Sequence, residues 1–218
     1  MRRTALALMM VAQAAAVAGC REPARPAVDP RAIEIAGDAV AIRTGSVGEG
    51  KWRGQATYAL VEARNRGDQD LMVTLGGELR AEAGAAAWPL ARESLRIPAG
   101  GSRLFALVDA ARAARPQASA AHVELAGAMP VRYAPPFAVK DGNVVLDQDR
   151  AVAAGNIVNT AARDGSAVVI GAFFDQAGAP LERTSTVFPI SSGGARGVRL
   201  VGPPGSRSAY LFIGEVEY

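Results

Sequence analysis

Cys20 is the single cysteine of this 218-residue chain, and it ends the most informative stretch of the sequence. It stands directly behind Val17-Ala18-Gly19. That trio ends an apolar run from Ala5 to Ala16, broken only by Gln13, which itself follows Arg2 and Arg3. A basic start, an apolar middle and small residues before a cut site form a secretory signal. The run is too short to span a hydrocarbon layer of about 30 Å. With no second cysteine, the chain can form no internal disulfide.

The other chemistry-bearing residues are carboxylates. Asp68/Asp70 and Asp147/Asp149 are pairs of the kind used for acid–base glycoside hydrolysis, a reaction that needs no sequence motif. Both pairs fall at expected turns or strand ends, where solvated acids belong. Asp141, Asn143, Asp147 and Asp149 gather oxygen ligands in one stretch, as a calcium site would. The Asp-x-Asp-x-Asp-Gly loop is absent, and a hairpin turn with solvated acids accounts for the same residues. His122 is the sole histidine and is flanked by strand-forming residues, too little for a histidine zinc site. No Gly-x-Ser-x-Gly elbow, His-Glu-x-x-His pair or phosphate-binding glycine loop occurs. The expectation is a chain that is not an enzyme and carries no metal and no cofactor. Two tryptophans are candidate partner contacts, because this side chain is enriched at binding hot spots. They are Trp52, in the glycine-rich loop from Gly48 to Gly54, and Trp88, just before Pro89.

Val17-Ala18-Gly19-Cys20 resembles the lipobox of bacterial lipoproteins. The resemblance implies cleavage after Gly19, which leaves Cys20 as the new N-terminus, diacylated with chains such as palmitate. Several buried chains anchor a protein stably, where one anchors it marginally. Arg21 replaces the aspartate that marks inner-membrane retention in Gram-negative lipoproteins, so the resemblance implies the outer membrane.

Cleavage would remove Arg2 and Arg3 from the 24 basic residues, leaving them nearly balanced against 21 acidic ones. Aromatics make up only 6% of the chain and no basic stripe stands out, which argues against nucleic-acid binding. Roughly 200 residues would remain, enough for one large or two small domains. With no disulfide, each must be held by apolar burial.

Segment 1–19 is the expected signal and 20–31 a lipidated tether. Three prolines between Arg21 and Arg31 keep that tether extended, at about 3 Å per residue. From Ala32 short β-rich runs alternate with turn residues. Ala32–Ala36 and Ala39–Thr44 flank Gly37-Asp38 as an apparent hairpin. Strands follow over Gln55–Arg64, Leu71–Arg80, Ala87–Leu90, Glu93–Ile97, Arg103–Val108 and His122–Ala126. Asp109 is placed to cap a short helix over Ala110–Arg115. In the second half, Phe137–Lys140 and Val144–Leu146 flank Asp141-Gly142-Asn143, read as a tight hairpin. Val152–Val158, Val168–Phe174, Thr184–Phe188, Val198–Val201 and Tyr210–Val216 complete the set. Phe173 and Phe174 must point to opposite faces, so one belongs in a core and the other against a neighbour or solvent.

The halves repeat. Asn65 and Asn159 are 94 residues apart, as are Gly84 and Gly178. Gly100-Gly101-Ser102-Arg103 and Gly193-Gly194-Ala195-Arg196 are 93 apart, and Leu107-Val108 matches Leu200-Val201. The same order of strands and turns in both halves points to duplication. The expected architecture is all-β: two tandem immunoglobulin-like sandwiches, 32–130 and 131–218, divided at a proline cluster near Met129–Pro136.

Gly155-Asn156-Ile157-Val158-Asn159-Thr160, the run from Val168 to Gly178 and the Ser192-Gly193-Gly194 turn resemble the FxLyD family of bacterial immunoglobulin-like domains. Phe174-Asp175 supplies the aromatic-Asp that leads the family's hairpin turn. Gly171 stands at the name-giving Phe position and Phe173 at the Leu. The first half keeps only the turns, with Ala81 in place of the aspartate. The resemblance implies β-sandwiches on secreted and anchored proteins, without shared catalytic residues.

Together these features lead to a non-enzymatic, lipid-anchored envelope protein. It would be held to the membrane through Cys20 and would bind or scaffold an envelope protein. Two alternatives are a small-ligand or calcium-binding module with its pocket at the domain junction, and a carrier like the two-domain pilus chaperones. The last fits poorly with an anchor.

Overall fold

The computed structural model describes residues 28–48, 53–82 and 86–217. Cys20, Val17-Ala18-Gly19, Trp52 and Gly84 lie outside the described residues. Within them the chain is all-β, with short 3-10 turns and no α-helix.

Thirteen strands are described: β1 (Ile33–Ile35), β2 (Ala41–Val47), β3 (Gly54–Asn65), β4 (Leu71–Ala81), β5 (Ala87–Ile97), β6 (Ser102–Val108) and β7 (Ala118–Pro130), then β8 (Phe137–Asp147), β9 (Arg150–Asn159), β10 (Gly165–Phe174), β11 (Pro180–Ile190), β12 (Ala195–Val201) and β13 (Ser208–Glu217). They form four antiparallel sheets. In sheet I, β3 pairs with β1 and β2 along one edge and with β6 along the other. Sheet II runs β5-β4-β7, sheet III β12-β9-β8 and sheet IV β11-β10-β13. Sheets I and II make the first sandwich, and sheets III and IV repeat its plan. Each sandwich is immunoglobulin-like with six strand positions, its fourth strand paired to the third. Residues 131–136 join them.

Alternation decides which residues enter each core. On β3, Ala59, Val61 and Ala63 face β4, whose Leu71, Val73 and Leu75 meet Phe105 and Leu107 of β6. On β10, Ala167, Val169 and Phe173 face inward toward Ile157 and Val198 or toward Ala151 and Ala153.

The other faces of β3 and β10 are buried as well. Leu60 and Leu104 look away from the first core, yet both are fully covered. Ile170, Ala172, Phe174 and Phe212, on the outer face of sheet IV, join the same apolar cluster. The two sandwiches therefore stack through sheets I and IV, giving four layers in the order II, I, IV, III. Phe173 fills its own domain's core and Phe174 fills the seam between domains.

Several local expectations are corrected. Gly37-Asp38 is not a hairpin, because β1 and β2 both run along the same edge of β3 and a 3-10 turn (Gly37–Ala39) separates them. Asp141-Gly142-Asn143 is not one either. It is a bulge inside β8, where Asp141 takes a positive φ of 51°. The true hairpin turn is Gln148-Asp149, closed by Asp147 facing Arg150, with Gln148 at φ 57°. These two interruptions occupy the same place in the two sandwiches. Ala87–Leu90 and Glu93–Ile97 are one strand. No helix follows Asp109. Its Oδ1 instead accepts the N–H groups of Ala111 and Ala113 in an irregular crossing that Thr57 also ties down. The tether expected through Arg31 is already folded from Val28, which packs on the first core, and Asp29 accepts the Arg31 N–H.

Candidate functional site: an open strand edge and an interdomain cleft

Two surface features combine exposure with binding chemistry. The first is β8, an edge strand of sheet III. Edge strands present unpaired N–H and C=O groups, and natural proteins usually cover or charge them. From Lys140 to Asp147 this strand is exposed, and its centre is apolar: Val145 is 52% and Leu146 56% accessible. Val145 and Val201 flank the buried Val152 on the outer face of the sheet. Acidic residues sit at both ends of the stretch. Asp141 accepts from Asn156, Asp147 pairs with Arg199 at 3.4 Å and Asp149 lies 4.0 Å from Arg150.

The second feature is a cleft of about 830 Å³ between the sandwiches. The first sandwich contributes Arg96 and Arg103, the linker contributes Tyr133 and the second contributes one edge of its own core. Arg96 pairs with Asp70, whose other oxygen accepts the Ala99 N–H at 2.9 Å. That N–H and the Arg96 guanidinium hold the Asp70 pKa below the usual carboxylate range. Arg103 forms no ion pair among the described residues. One of its terminal nitrogens donates to the Ser102 carbonyl, and its guanidinium lies 4.9 Å from the centre of the Phe212 ring. Burial pushes its pKa down. The Nε atoms of both arginines are buried without a hydrogen-bond partner.

Polar contacts lock the domains beside this cleft. Arg183 of β11 forms a two-pronged pair with Glu93 of β5, at 2.6 and 2.8 Å, and donates to the Leu104 carbonyl. The Tyr210 hydroxyl donates to Glu62 at 3.2 Å. Burial and the neighbouring Glu62 carboxylate raise the Tyr210 pKa far above its ordinary value. Arg43 reaches across to the carbonyls of Pro180 and Leu181.

No family model and no curated protein matches the chain. Among solved structures, a DUF1425 family member from a Shewanella species is 16% identical, covering 36% of this chain and 77% of its own, with a TM-score of 0.33. Red sea bream transglutaminase is 14% identical over 79% of this chain and 28% of its own, at 0.25. A structural-genomics target is 11% identical over 81% of this chain and 90% of its own, at 0.24. At these scores they assign no family, and the likeness to FxLyD stays on the residues quoted for it.

The remaining sequence candidates fall apart in space. Asp141 sits at the β8 bulge, while Asp147 and Asp149 flank the Gln148 turn, each beside its own basic or amide partner. Among the described residues, no group of three or more His, Cys, Asp or Glu side chains comes together as a metal site. Asp70 clamps the Ala99 turn and pairs with Arg96. Trp88 is half-buried against the first core with the Arg115 guanidinium 5.4 Å above its ring, a packing role. His122 faces Glu78 across β4 and β7. Arg96 is a residue that sequence reasoning missed. Arg103 carried a signal, as the last residue of the repeated glycine turn. Its counterpart Arg196 also covers an aromatic ring, that of Phe188, at 5.2 Å.

Proposed function

We propose that this protein is a non-enzymatic lipoprotein of the bacterial envelope. Anchored through Cys20, it docks an extended segment of an envelope protein onto the free edge of β8. The observation that carries the reading is the exposed Val144-Val145-Leu146 stretch on an edge strand. Strand addition takes its affinity from main-chain hydrogen bonds and its specificity from alternate side chains. Val144, Val145 and Leu146 form the apolar centre of this edge, so the partner strand is apolar in its middle. The lipobox-like Val17-Ala18-Gly19-Cys20, followed by Arg21, supports attachment to the outer membrane.

The test expresses the wild type and Cys20→Ala in a Gram-negative host, fractionates the envelope and crosslinks from benzoylphenylalanine placed at Val145 or, as control, at Ser119. The reading requires that the wild type partition with the outer membrane and Cys20→Ala not do so. It also requires that a defined envelope protein be captured from position 145 and not from 119, and that Leu146→Lys abolish the adduct. A soluble wild type would overturn the anchor. Equal capture from 119, or capture indifferent to Leu146→Lys, would overturn docking at β8.

A further inference from the structure

The cleft between the sandwiches has two chemically different ends. At one end β8 and β13 run close to each other without being hydrogen-bonded neighbours, because they belong to different sheets. The second sandwich is thus open along this side, and Phe137, Val139, Leu211 and Ile213 line both its core and the cleft. A bulge in β13 at Gly214-Glu215 shapes the same wall. Bulges are over-represented beside binding sites, where they re-aim side chains. A Cβ on Gly214 would fall 2.7 Å from the tip of the Ile170 side chain, which would have to shift to admit it. At the other end stand Arg96 and Arg103, each with a buried Nε–H that meets no acceptor.

Those Nε atoms are sealed from solvent, so an occupant of the cleft meets the accessible remainder of each guanidinium. A purely apolar occupant would leave the Arg103 charge without a counter-ion, and a small inorganic anion would leave the apolar walls wet. The size, about 830 Å³, is that of sites for single small molecules. From these observations we infer that the interdomain cleft binds a single-chain amphiphile with an anionic carboxylate or phosphate head group. Its alkyl chain lies along β8 and β13, and its head pairs with the guanidinium groups of Arg96 and Arg103 that line the cleft. Asp70 already balances Arg96, so Arg103 supplies the uncompensated charge. Glu215 is the carboxylate among the lining residues and disfavours heads of high negative charge. The cleft uses Phe137 to Val139 of β8, whereas the docking edge uses Val144 to Leu146 further along the same strand.

The test is native mass spectrometry of the full acylated chain released from a neutral detergent, with dodecanoate, dodecyl phosphate, dodecanol or inorganic phosphate added. Expected are one-to-one adducts with dodecanoate and dodecyl phosphate, binding at least about tenfold weaker for dodecanol, and none for inorganic phosphate. Arg103→Gln should weaken the anionic adducts about tenfold. Ser94→Glu, which adds a carboxylate at the mouth where Ser94 only meets Thr74 on the surface, should do the same with an unchanged melting midpoint. A dodecanol adduct as strong as that of dodecanoate would overturn recognition of the head group. Adducts indifferent to Ser94→Glu would place binding elsewhere, and no adduct with either anion would overturn the site.

Discussion

Asn65 and Asn159 make the same hydrogen bonds at the same place in the two sandwiches. Asn65 Nδ2 donates to the carbonyls of Gln69 and Ile97, its Oδ1 accepts the Gly67 N–H, and its own N–H donates to Gly101. Asn159 Nδ2 donates to Arg163 and Ile190, its Oδ1 accepts the Ala161 N–H, and its N–H donates to Gly194. Nearby, Asp70 accepts the Ala99 N–H and Asp164 the Ser192 N–H, again in matching positions. One amide thus ties the loop after its own strand to the end of the fourth strand of its sandwich. This shared clamp, together with the shared strand order, is what a duplicated domain looks like in three dimensions.

Removing either clamp should be costly. Asn65→Ala strips partners from a fully buried position and leaves a buried carbonyl unmet, at about 3 kcal/mol. Asn159→Ala should cost a similar amount, because its partners are the same groups. Urea denaturation of both variants checks this. A loss below about 1 kcal/mol at either position would contradict the shared role.

Acid should destabilise the first sandwich through two carboxylates. Burial works to raise the Asp109 pKa, but the Arg115 guanidinium and the Ala113 and Ala111 N–H groups outweigh it and hold the pKa down. Asp70 is held down by the Ala99 N–H and by Arg96. A carboxylate whose folded pKa lies below its unfolded value adds stability above the unfolded pKa, about 4, and loses it as pH falls through the folded pKa. Stability should therefore fall below about pH 4, and Asp70→Asn or Asp109→Asn should flatten that slope. Urea midpoints measured from pH 7 down to 2 decide the point.

The Glu93 and Arg183 pair should couple the domains. Both side chains are mostly buried, and Glu93 also accepts the Ala106 N–H. Arg183→Ala strands a mostly buried carboxylate, at about 2 kcal/mol. A double-mutant cycle with Glu93→Gln should return a coupling energy above about 1 kcal/mol. Additive single effects would mean the seam is held by apolar contact alone.

Gly100 and Gly193 carry φ of +67° and +66° in equivalent turns, and nothing lies within 4 Å of a Cβ at either. Alanine there meets no clash, so its cost is the left-handed backbone alone, about 1 kcal/mol each. Gly100→Ala and Gly193→Ala should therefore lower the melting midpoint by similar steps. A much larger loss at one of them would reveal a contact unique to that sandwich.

The sequence by itself determined the strand class, the order of strands and turns, and the repeat. Those follow from period-two alternation and from turn residues whose demands are local: Gly at positive φ, Asn and Asp bonding their own loop, as Asp175 does with the Ala177 and Ala179 N–H groups. The break at Gly37-Asp38 and the bulge at Asp141-Gly142 use the same residue types as hairpins. Only pairing with β3 and β9 told them apart, because one edge of a neighbour can carry a strand straight past an interruption. The tertiary structure alone decided that Leu60, Leu104, Ile170 and Phe174 are buried on the faces that a lone sandwich would expose to water. It also decided that Arg96 and Arg103 meet above the open edge of the second core. Both outcomes come from stacking sheet I on sheet IV, a contact between segments some hundred residues apart, and no periodicity along one strand records what lies beyond its far face.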